Sequence, residues 1–437
     1  MMKVCASLSS CSEKDRIQSA DMVEIRLDLL GKIPDIKNKE LLVTYRGNID
    51  LSILPHGYSG MLDIGEEKRP SSKLTILASH HDFERTPDAE DILSILNKMD
   101  SDISKGAFSV KSFKDLHNIW KAATSLKKRH VILGMNELGT ITRIRQNILE
   151  NEFTFGYVGE PTAPGQLSVT QMKELGDDCM ITGLIGHPLS KSMSPAMHNA
   201  AFKNTGINGI YLKFDSDNLE NACDVIREYN IRGINVTIPY KQDIMEQLDS
   251  VDDDTRTIGA VNTIVNDNGK LKGYNTDVKG IEKALEISHF DTSCKRALIL
   301  GSGGAARACA FILKKKGCRV TITGRNSITA KKLADDIDCE YKPGNSIPIN
   351  MHDLIVNCTP IGMYDNGEYP IRLEHLSKNH TVFDMVYGHE TPILAKASSV
   401  KAKTVSGTDM LAGQGSASFE LWTGQKDQFE IMRRVLE

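Results

Sequence analysis

The sequence predicts an α/β fold: an N-terminal (β/α)8 barrel, trimmed below the usual size, followed by a two-lobed α/β part that contains a Rossmann-type dinucleotide domain. Three observations predict it. Eight short apolar, β-branched runs fill the first 170 residues, several of them separated by helical patterns. After Met180 the texture changes to alternating strands and helices with glycine-rich turns. The run GSGGAA (301–306) then lies between a strand pattern and a helix pattern. A chain of 437 residues has room for about three domains at ~150 residues each.

Taken in order, strands are expected at Lys3–Leu8, Met22–Asp28, Leu41–Arg46, Met61–Ile64, Leu74–Ser79, Asp102–Val110, His130–Met135 and Phe153–Tyr157, each a short apolar run with turn residues around it. Helices are expected at Asp88–Lys98, Phe113–Ser125, Ile141–Asn151 and Thr170–Leu175, where the apolar residues recur at helical spacing. Gly47–Gly60 contains Pro55, Gly57 and Gly60, and Gly65–Lys73 is short and polar, so neither can hold a full outer helix. The strand backs they leave bare are expected to be covered by the second half of the chain or by a partner subunit. Further on, Arg296–Leu300, the glycine loop, a helix to Lys316 and Arg319–Thr323 form a βαβ opening, with later strands at Asp353–Asn357 and Val382–Met385. Domain boundaries are expected near Asp178 and Ser288.

Composition narrows the function classes. Hydrophobic residues at 40% and charged residues at 25% are those of a soluble globular protein. A net charge of -4 without a basic block gives no support for a nucleic-acid or anionic-membrane partner. No apolar stretch approaches the ~18 residues of a membrane span. Nine cysteines without a C-x-x-C pair point to free thiols in a reducing cytoplasm and to no metal site. The first residues lack the apolar core of a secretory signal. Oligomeric state, a homo-oligomer included, is not written in the sequence.

In EIRLD (24–28) the charged residues alternate with apolar ones, so Glu24, Arg26 and Asp28 share a strand face. Arg46, His80, His81, Arg143 and Gln166 follow their strands, at the end where a barrel carries its chemistry. Lys105 lies inside a strand among apolar residues. Burial and nearby cations favour the neutral amine, which can attack a ketone. The stretches EIRLD, SHHDF followed by TP (79–87), DISK (102–105), GMNELGTITR (134–143) and TAPGQLS (162–168) together resemble the type I 3-dehydroquinate dehydratases. The resemblance implies that Lys105 forms an imine with the substrate ketone and that His81 moves the proton. It also implies that Glu24, Arg26, Arg46, Arg143, Thr162 and Gln166 line the substrate pocket. Asp50 and Gly65 stand where that family carries glutamate.

In the second half, a carboxylate at the end of the second Rossmann strand would favour NAD, whereas this chain has Gly324-Arg325-Asn326, which suits the 2′-phosphate of NADP. Ser192 and Ser194 precede a helix, GINVTIPYK (233–241) ends a strand with Thr237 and Lys241, and GAVNT (259–263) and GYNTD (273–277) add Asn262, Thr276 and Asp277. Such hydroxyls, amides and a Lys/Asp pair suit a polyol and a proton shuttle beside hydride transfer. With NCTPIGM (357–363), FDMVYGHETPIL (383–394) and GTDMLAGQGSASFELWTG (407–424), residues 181–437 resemble the shikimate dehydrogenases. That resemblance implies Lys241 and Asp277 as the catalytic pair. Ser192, Ser194, Thr237, Asn262, Tyr387 and Gln414 would contact substrate. Gly301, Gly303, Gly304, Ala305, Thr323, Arg325 and Gly407 would hold NADP.

The two resemblances together imply a barrel over 1–178 and a two-lobed α/β dehydrogenase. Its substrate-binding domain would span 179–288, completed by helices in 406–437, with the NADP domain over 289–405. The expected substrates are 3-dehydroquinate, 3-dehydroshikimate and shikimate. Three other readings stay open at this point: a dehydrogenase with an inactive barrel, a non-catalytic regulator responsive to quinate or shikimate, and a quinate dehydrogenase using NAD.

Overall fold

A computed structural model describes residues 2–8, 10–47, 51–161, 165–344, 347–363 and 367–437. Two compact units are present, one made of Met1–Thr182 with Asn208–Ile231, the other of Gly183–Ile207 with Arg232–Glu437.

The first unit is a nearly closed barrel. Its strands are β1 (Val4–Leu8), β2 (Met22–Arg26), β3 (Glu40–Thr44), β4 (Met61–Asp63), β5 (Thr75–Asp82), β6 (Ile103–Ser109), β7 (His130–Met135) and β8 (Thr154–Tyr157), in the sheet order β7-β6-β5-β4-β3-β2-β1-β8. Neighbouring strands are parallel throughout. The helices are α1 (Leu27–Leu30), α2 (Ala89–Lys98), α3 (Phe113–Ser125), α4 (Thr140–Ile144) and α5 (Val169–Leu175). Side chains of residues in register share a face. Cys5, Met22, Leu42, Met61, Leu77, Ile103, Val131 and Phe153 accordingly belong to one apolar cluster. Two residues further along their strands come Ser7, Glu24, Thr44, Asp63, Ser79 and Lys105. The barrel interior therefore turns from apolar to polar toward the carboxyl ends of its strands, where β/α barrels carry their chemistry.

Four expectations change. The strand expected to Asp28 ends at Arg26, because the chain turns into α1 at Leu27. The helix expected over Ile141–Asn151 shortens to α4, after which the chain turns. His80 and His81 lie within β5 and not beyond it. The cover of the bare strand backs is also local. Val43, Leu62 and Ile76 form a cluster with Leu27, Ile64 and Ala78, against which Ile33, Leu51, Leu54, Tyr58 and Met99 pack. The Tyr58 hydroxyl reaches the carbonyls of Leu41 (3.0 Å) and Met61 (2.7 Å). Loop side chains thus replace two outer helices.

The seam between β7 and β8 is bridged by a side chain. Asn151 accepts from the Ile132 N–H (2.7 Å) and donates to the Ile132 carbonyl (2.9 Å). One amide thereby satisfies both backbone groups that an adjoining strand would have paired.

After α5 the chain runs through β9 (Met180–Gly186) and α6 (Ser194–Thr205), then β10 (Gly209–Asp215) and α7 (Ala222–Glu228), which count with the first unit. The second unit continues with β11 (Gly233–Val236), β12 (Ser250–Val251), α8 (Asp253–Ile258), β13 (Thr263–Asp267), β14 (Lys270–Tyr274) and α9 (Asp277–Ile287). Strands β9, β11, β13, β14 and β12 adjoin in that order. Next come β15 (Arg296–Leu300), α10 (Gly304–Lys315), β16 (Arg319–Thr323), α11 (Ser327–Ile337), β17 (Glu340–Tyr341), β18 (Leu354–Asn357), β19 (Thr381–Asp384), α12 (Pro392–Ser399) and β20 (Lys403–Val405). They form a parallel sheet in the order β17-β16-β15-β18-β19-β20, the strand order of dinucleotide-binding Rossmann folds. The chain closes with α13 (Gly407–Thr423) and α14 (Phe429–Leu436). No helix among the described residues is long and apolar enough to cross a membrane.

Replacing Asn151 with Ala strands the Ile132 N–H and carbonyl at the β7 edge. Urea unfolding should show the barrel transition weakened by about 1–3 kcal/mol with the second unit's transition unmoved.

Candidate active sites

The first site is built around a carboxylate that the sequence did not single out. Asp63, at the end of β4, is fully buried. Its Oδ1 accepts from the Ser79 hydroxyl (2.7 Å), the Gly65 N–H (2.9 Å) and Arg46 (3.1 Å). Its Oδ2 has no hydrogen-bond partner among the described residues and lies 3.8 Å from the Lys105 amine. Burial alone would push the Asp63 carboxyl up, but Lys105, Arg46 and the two short donors outweigh it and hold it below its ordinary range. The signal available in the sequence was a lone aspartate ending an apolar run at the carboxyl edge of a barrel strand.

Lys105 is 6% exposed, in register with Ser79 on β5, and its amine sits 4.1 Å above the centre of the Phe155 ring. His81 lies two residues beyond Ser79 on the same strand face. Its imidazole is pushed down to about 3, by burial first and then by the charges of Lys105 and Arg46. It is therefore a neutral base over the physiological range. Glu24 is buried and accepts from the hydroxyls of Ser7 and Thr44. Arg26 grips Asp28 with two hydrogen bonds of 2.9 and 2.7 Å. Arg143 is buried on α4, donates to the Phe155 carbonyl (3.3 Å), and burial pushes its guanidinium down to about 10. Gln166 is partly buried in the loop after β8. Thr162 and Asp50 lie outside the described residues.

The second site is a continuous polar cluster. Lys241 is hydrogen-bonded to Asp277 Oδ2, and the amide of Asn262 donates to Asp277 Oδ1 (2.8 Å) and to Gln414 Oε1 (3.4 Å). The other end of Asn262 accepts from the Thr276 N–H (2.6 Å). Beneath it, Thr263, Thr276 and Ser418 hydrogen-bond one another at 2.9 to 3.0 Å, and Asn235 donates to Thr263 (3.1 Å) and Ser418 (2.9 Å). Thr263, Asn235 and Ser418 were not anticipated; a polar layer under an active residue has no sequence motif of its own.

Helix packing sets this geometry. Asp277 is the first residue of α9 and Gln414 lies on α13. The two helices meet at Gly280 and Gly413, where a Cβ on Gly280 would come 2.3 Å from the Met410 carbonyl. Ser194 opens α6 and donates its N–H to the Ser192 hydroxyl (3.3 Å). Thr237 stands against Gly186 at the end of β9. Tyr387 is partly buried after β19.

The glycine loop lies beside this cluster. Gly301 has φ +118°, a conformation that L side chains avoid. Gly303 caps α10, and a Cβ there would meet nothing within 4 Å, whereas one on Gly304 would come 2.9 Å from Lys241 Cδ. Open space before a 12-residue helix, whose first N–H groups have no partner within the helix, suits a pyrophosphate. Ala305 follows in the first turn of α10. Thr323 ends β16 with its hydroxyl buried and unpartnered among the described residues. Arg325 is exposed just beyond. Gly407 opens α13 where a Cβ would sit 2.5 Å from the Met385 carbonyl. These residues fit a dinucleotide.

Comparison with known proteins agrees with this division. Residues 61–177 match the family model of type I 3-dehydroquinase, residues 184–264 that of the shikimate dehydrogenase substrate-binding domain, and residues 407–437 that of the shikimate 5′-dehydrogenase C-terminal domain. A shikimate dehydrogenase (NADP(+)) of Methanococcus maripaludis is 42% identical over 268 residues, which cover 59% of this chain and 96% of that protein. The solved shikimate 5-dehydrogenase of Thermus thermophilus in complex with NADP(H) and shikimate is 34% identical, with a TM-score of 0.54 over 59% of this chain and 100% of that one. A quinate dehydrogenase of Corynebacterium glutamicum in complex with NAD is 30% identical, with a TM-score of 0.55 over 59% of this chain and 98% of that one. The chain belongs to the shikimate dehydrogenase family and carries a type I 3-dehydroquinase stretch in front of that part.

The depressed imidazole has a direct check. Unfolded chain takes up a proton near pH 6.5 that folded His81 refuses, so this residue lowers stability as pH falls below that value. The His81 ring signals should stay flat in NMR from about pH 8 to pH 5, and Lys105→Met should move the midpoint upward.

Proposed function

We propose that the chain catalyses two consecutive steps: dehydration of 3-dehydroquinate to 3-dehydroshikimate in the barrel, then NADPH-dependent reduction of 3-dehydroshikimate to shikimate in the second unit. The observation that carries the reading is that one chain holds two lysine–carboxylate sites in different surroundings. One lies in a barrel mouth under arginines; the other lies against a dinucleotide loop. The domain division proposed is the one read from the sequence, 1–178, 179–288 completed by 406–437, and 289–405, although by compactness 208–231 counts with the first unit.

In the barrel, Lys105 adds to the substrate ketone and water leaves, giving a protonated imine. Its positive charge faces the unpartnered Oδ2 of Asp63. That charge acidifies the neighbouring carbon, and neutral His81 takes its proton. His81 then returns the proton to the departing hydroxyl, and water releases the product from Lys105. The net change is loss of one water. Arg143 holds the substrate carboxylate, and Glu24, Arg26, Arg46 and Gln166 complete the pocket.

In the second unit, Gly301, Gly303, Gly304, Ala305, Thr323, Arg325 and Gly407 would hold the NADP cofactor, whose reduced form, NADPH, would supply hydride when bound. Lys241 and Asp277 deliver the proton to the carbonyl oxygen. Asn262 fixes the free oxygen of Asp277, and Ser192, Ser194, Thr237, Tyr387 and Gln414 bind the ring hydroxyls and carboxylate. No metal has a role, and the partners are small molecules. A cytoplasmic setting is in keeping with the eight free cysteines of the described residues.

Purified protein given 3-dehydroquinate and NADPH should consume NADPH, and so should protein given 3-dehydroshikimate. Lys105→Ala should abolish only the first response, and Lys241→Ala should abolish both. Loss of NADPH with 3-dehydroshikimate alone would leave the barrel a scaffold, and loss with neither would favour a regulator. Arg325→Ala should weaken NADP binding by about 1–3 kcal/mol while sparing NAD. Equal use of the two cofactors by the unmodified chain would overturn the NADP assignment.

A further inference from the structure

Arg145 is 5% exposed, yet no carboxylate among the described residues accepts from it. Its guanidinium donates to four backbone carbonyls: Tyr229 (3.0 Å), Asp177 (2.7 Å), Cys179 (2.9 Å) and Asn230 (3.4 Å). Burial pushes the guanidinium below its ordinary value, and the four carbonyls, with the nearby charges of Asp177 and Asp178, work against that push. Two of these carbonyls belong to the 208–231 stretch of the first unit, which lies within residues 184–264, the part matching the substrate-binding domain of shikimate dehydrogenase.

That stretch is itself anchored on α3. The Tyr229 hydroxyl donates to the Leu116 carbonyl (2.9 Å), His117 meets Glu228 at 2.7 Å, and the rings of Phe113 and Phe214 lie 6.1 Å apart. Arg145 therefore hangs from a fixed point. It also caps α4, a helix of 5 residues, too short to hold its own shape. Arg143 lies two residues earlier, on the opposite side of that turn, and donates to the Phe155 carbonyl beneath the ring that Lys105 overlies.

We infer that Arg145 is a positioning residue for the barrel site: by fastening α4 to residues 229–230 it sets where Arg143 meets the substrate carboxylate, so the dehydratase depends on chain that sequence assigns to the dehydrogenase. The inference rests on the dehydratase reading above for its catalytic part. In the full-length chain, Arg145→Gln should raise KM for 3-dehydroquinate by ~10- to 100-fold, with a smaller effect on kcat. Turnover of 3-dehydroshikimate with NADPH should remain within about twofold, because among the described residues no residue of that site shares a hydrogen-bond partner with Arg145. Arg145→Lys, which keeps the charge without the fork, should fall between the two.

Unchanged kinetics for both substrates, or equal losses for both, overturn the inference. If unmodified protein does not dehydrate 3-dehydroquinate, the dehydratase reading fails instead. Hydrogen exchange then decides the brace alone: amides 140–146 should exchange faster in Arg145→Gln, and unchanged protection there overturns it.

Discussion

A lysine set against a buried carboxylate organises each unit. Removing a carboxylate from water is costly unless donors and cations meet it, so the backbone around Asp63 and Asp277 is committed to supplying them. Around Asp63 the supply comes from Gly65 just after β4, Ser79 on β5 and Lys105 on β6, with Arg46 just after β3 as a further donor. Around Asp277 it comes from Asn262 and Lys241, with Gln414 attached through the close crossing of α9 and α13. Strand register and helix contact thus emerge at the sites as interatomic distances.

The two lysines sit in different surroundings. Lys105 has an aromatic face and a carboxylate oxygen that accepts no hydrogen bond among the described residues, surroundings that favour a cation carried on the substrate. Lys241 shares a proton-bearing contact with Asp277, and its stem lies against the first residue of the dinucleotide helix. The first arrangement suits covalent chemistry and the second suits proton delivery beside a cofactor.

Much of the fold was legible because period and punctuation are local. The eight barrel strands were each located to within a few residues, α3 was placed at its observed ends, and 51–60 and 65–73 hold no α-helix, as glycine and proline in the first and the short polar run in the second implied. The residues around Lys241 were legible because they lie in motifs, and the structure joins Lys241, Asp277, Asn262 and Gln414 in one cluster. Asp63, Ser79, Thr263 and Ser418 were not legible. Their part depends on register between strands far apart in sequence, and nothing in their immediate neighbours marks it. The early end of β2 at Arg26 likewise follows from α1, a turn of helix too short to show a period.

The cover over the backs of β3 and β4 has an evolutionary side. An outer helix must keep its apolar stripe in phase over several turns, so an inserted or deleted residue rotates the stripe off the barrel. A loop that delivers Leu51, Leu54 and Tyr58 as separate contacts carries no phase to preserve. This flank can therefore change length while the strands beneath it stay fixed, which makes it the natural place for insertions, grafted peptides or tags on the barrel.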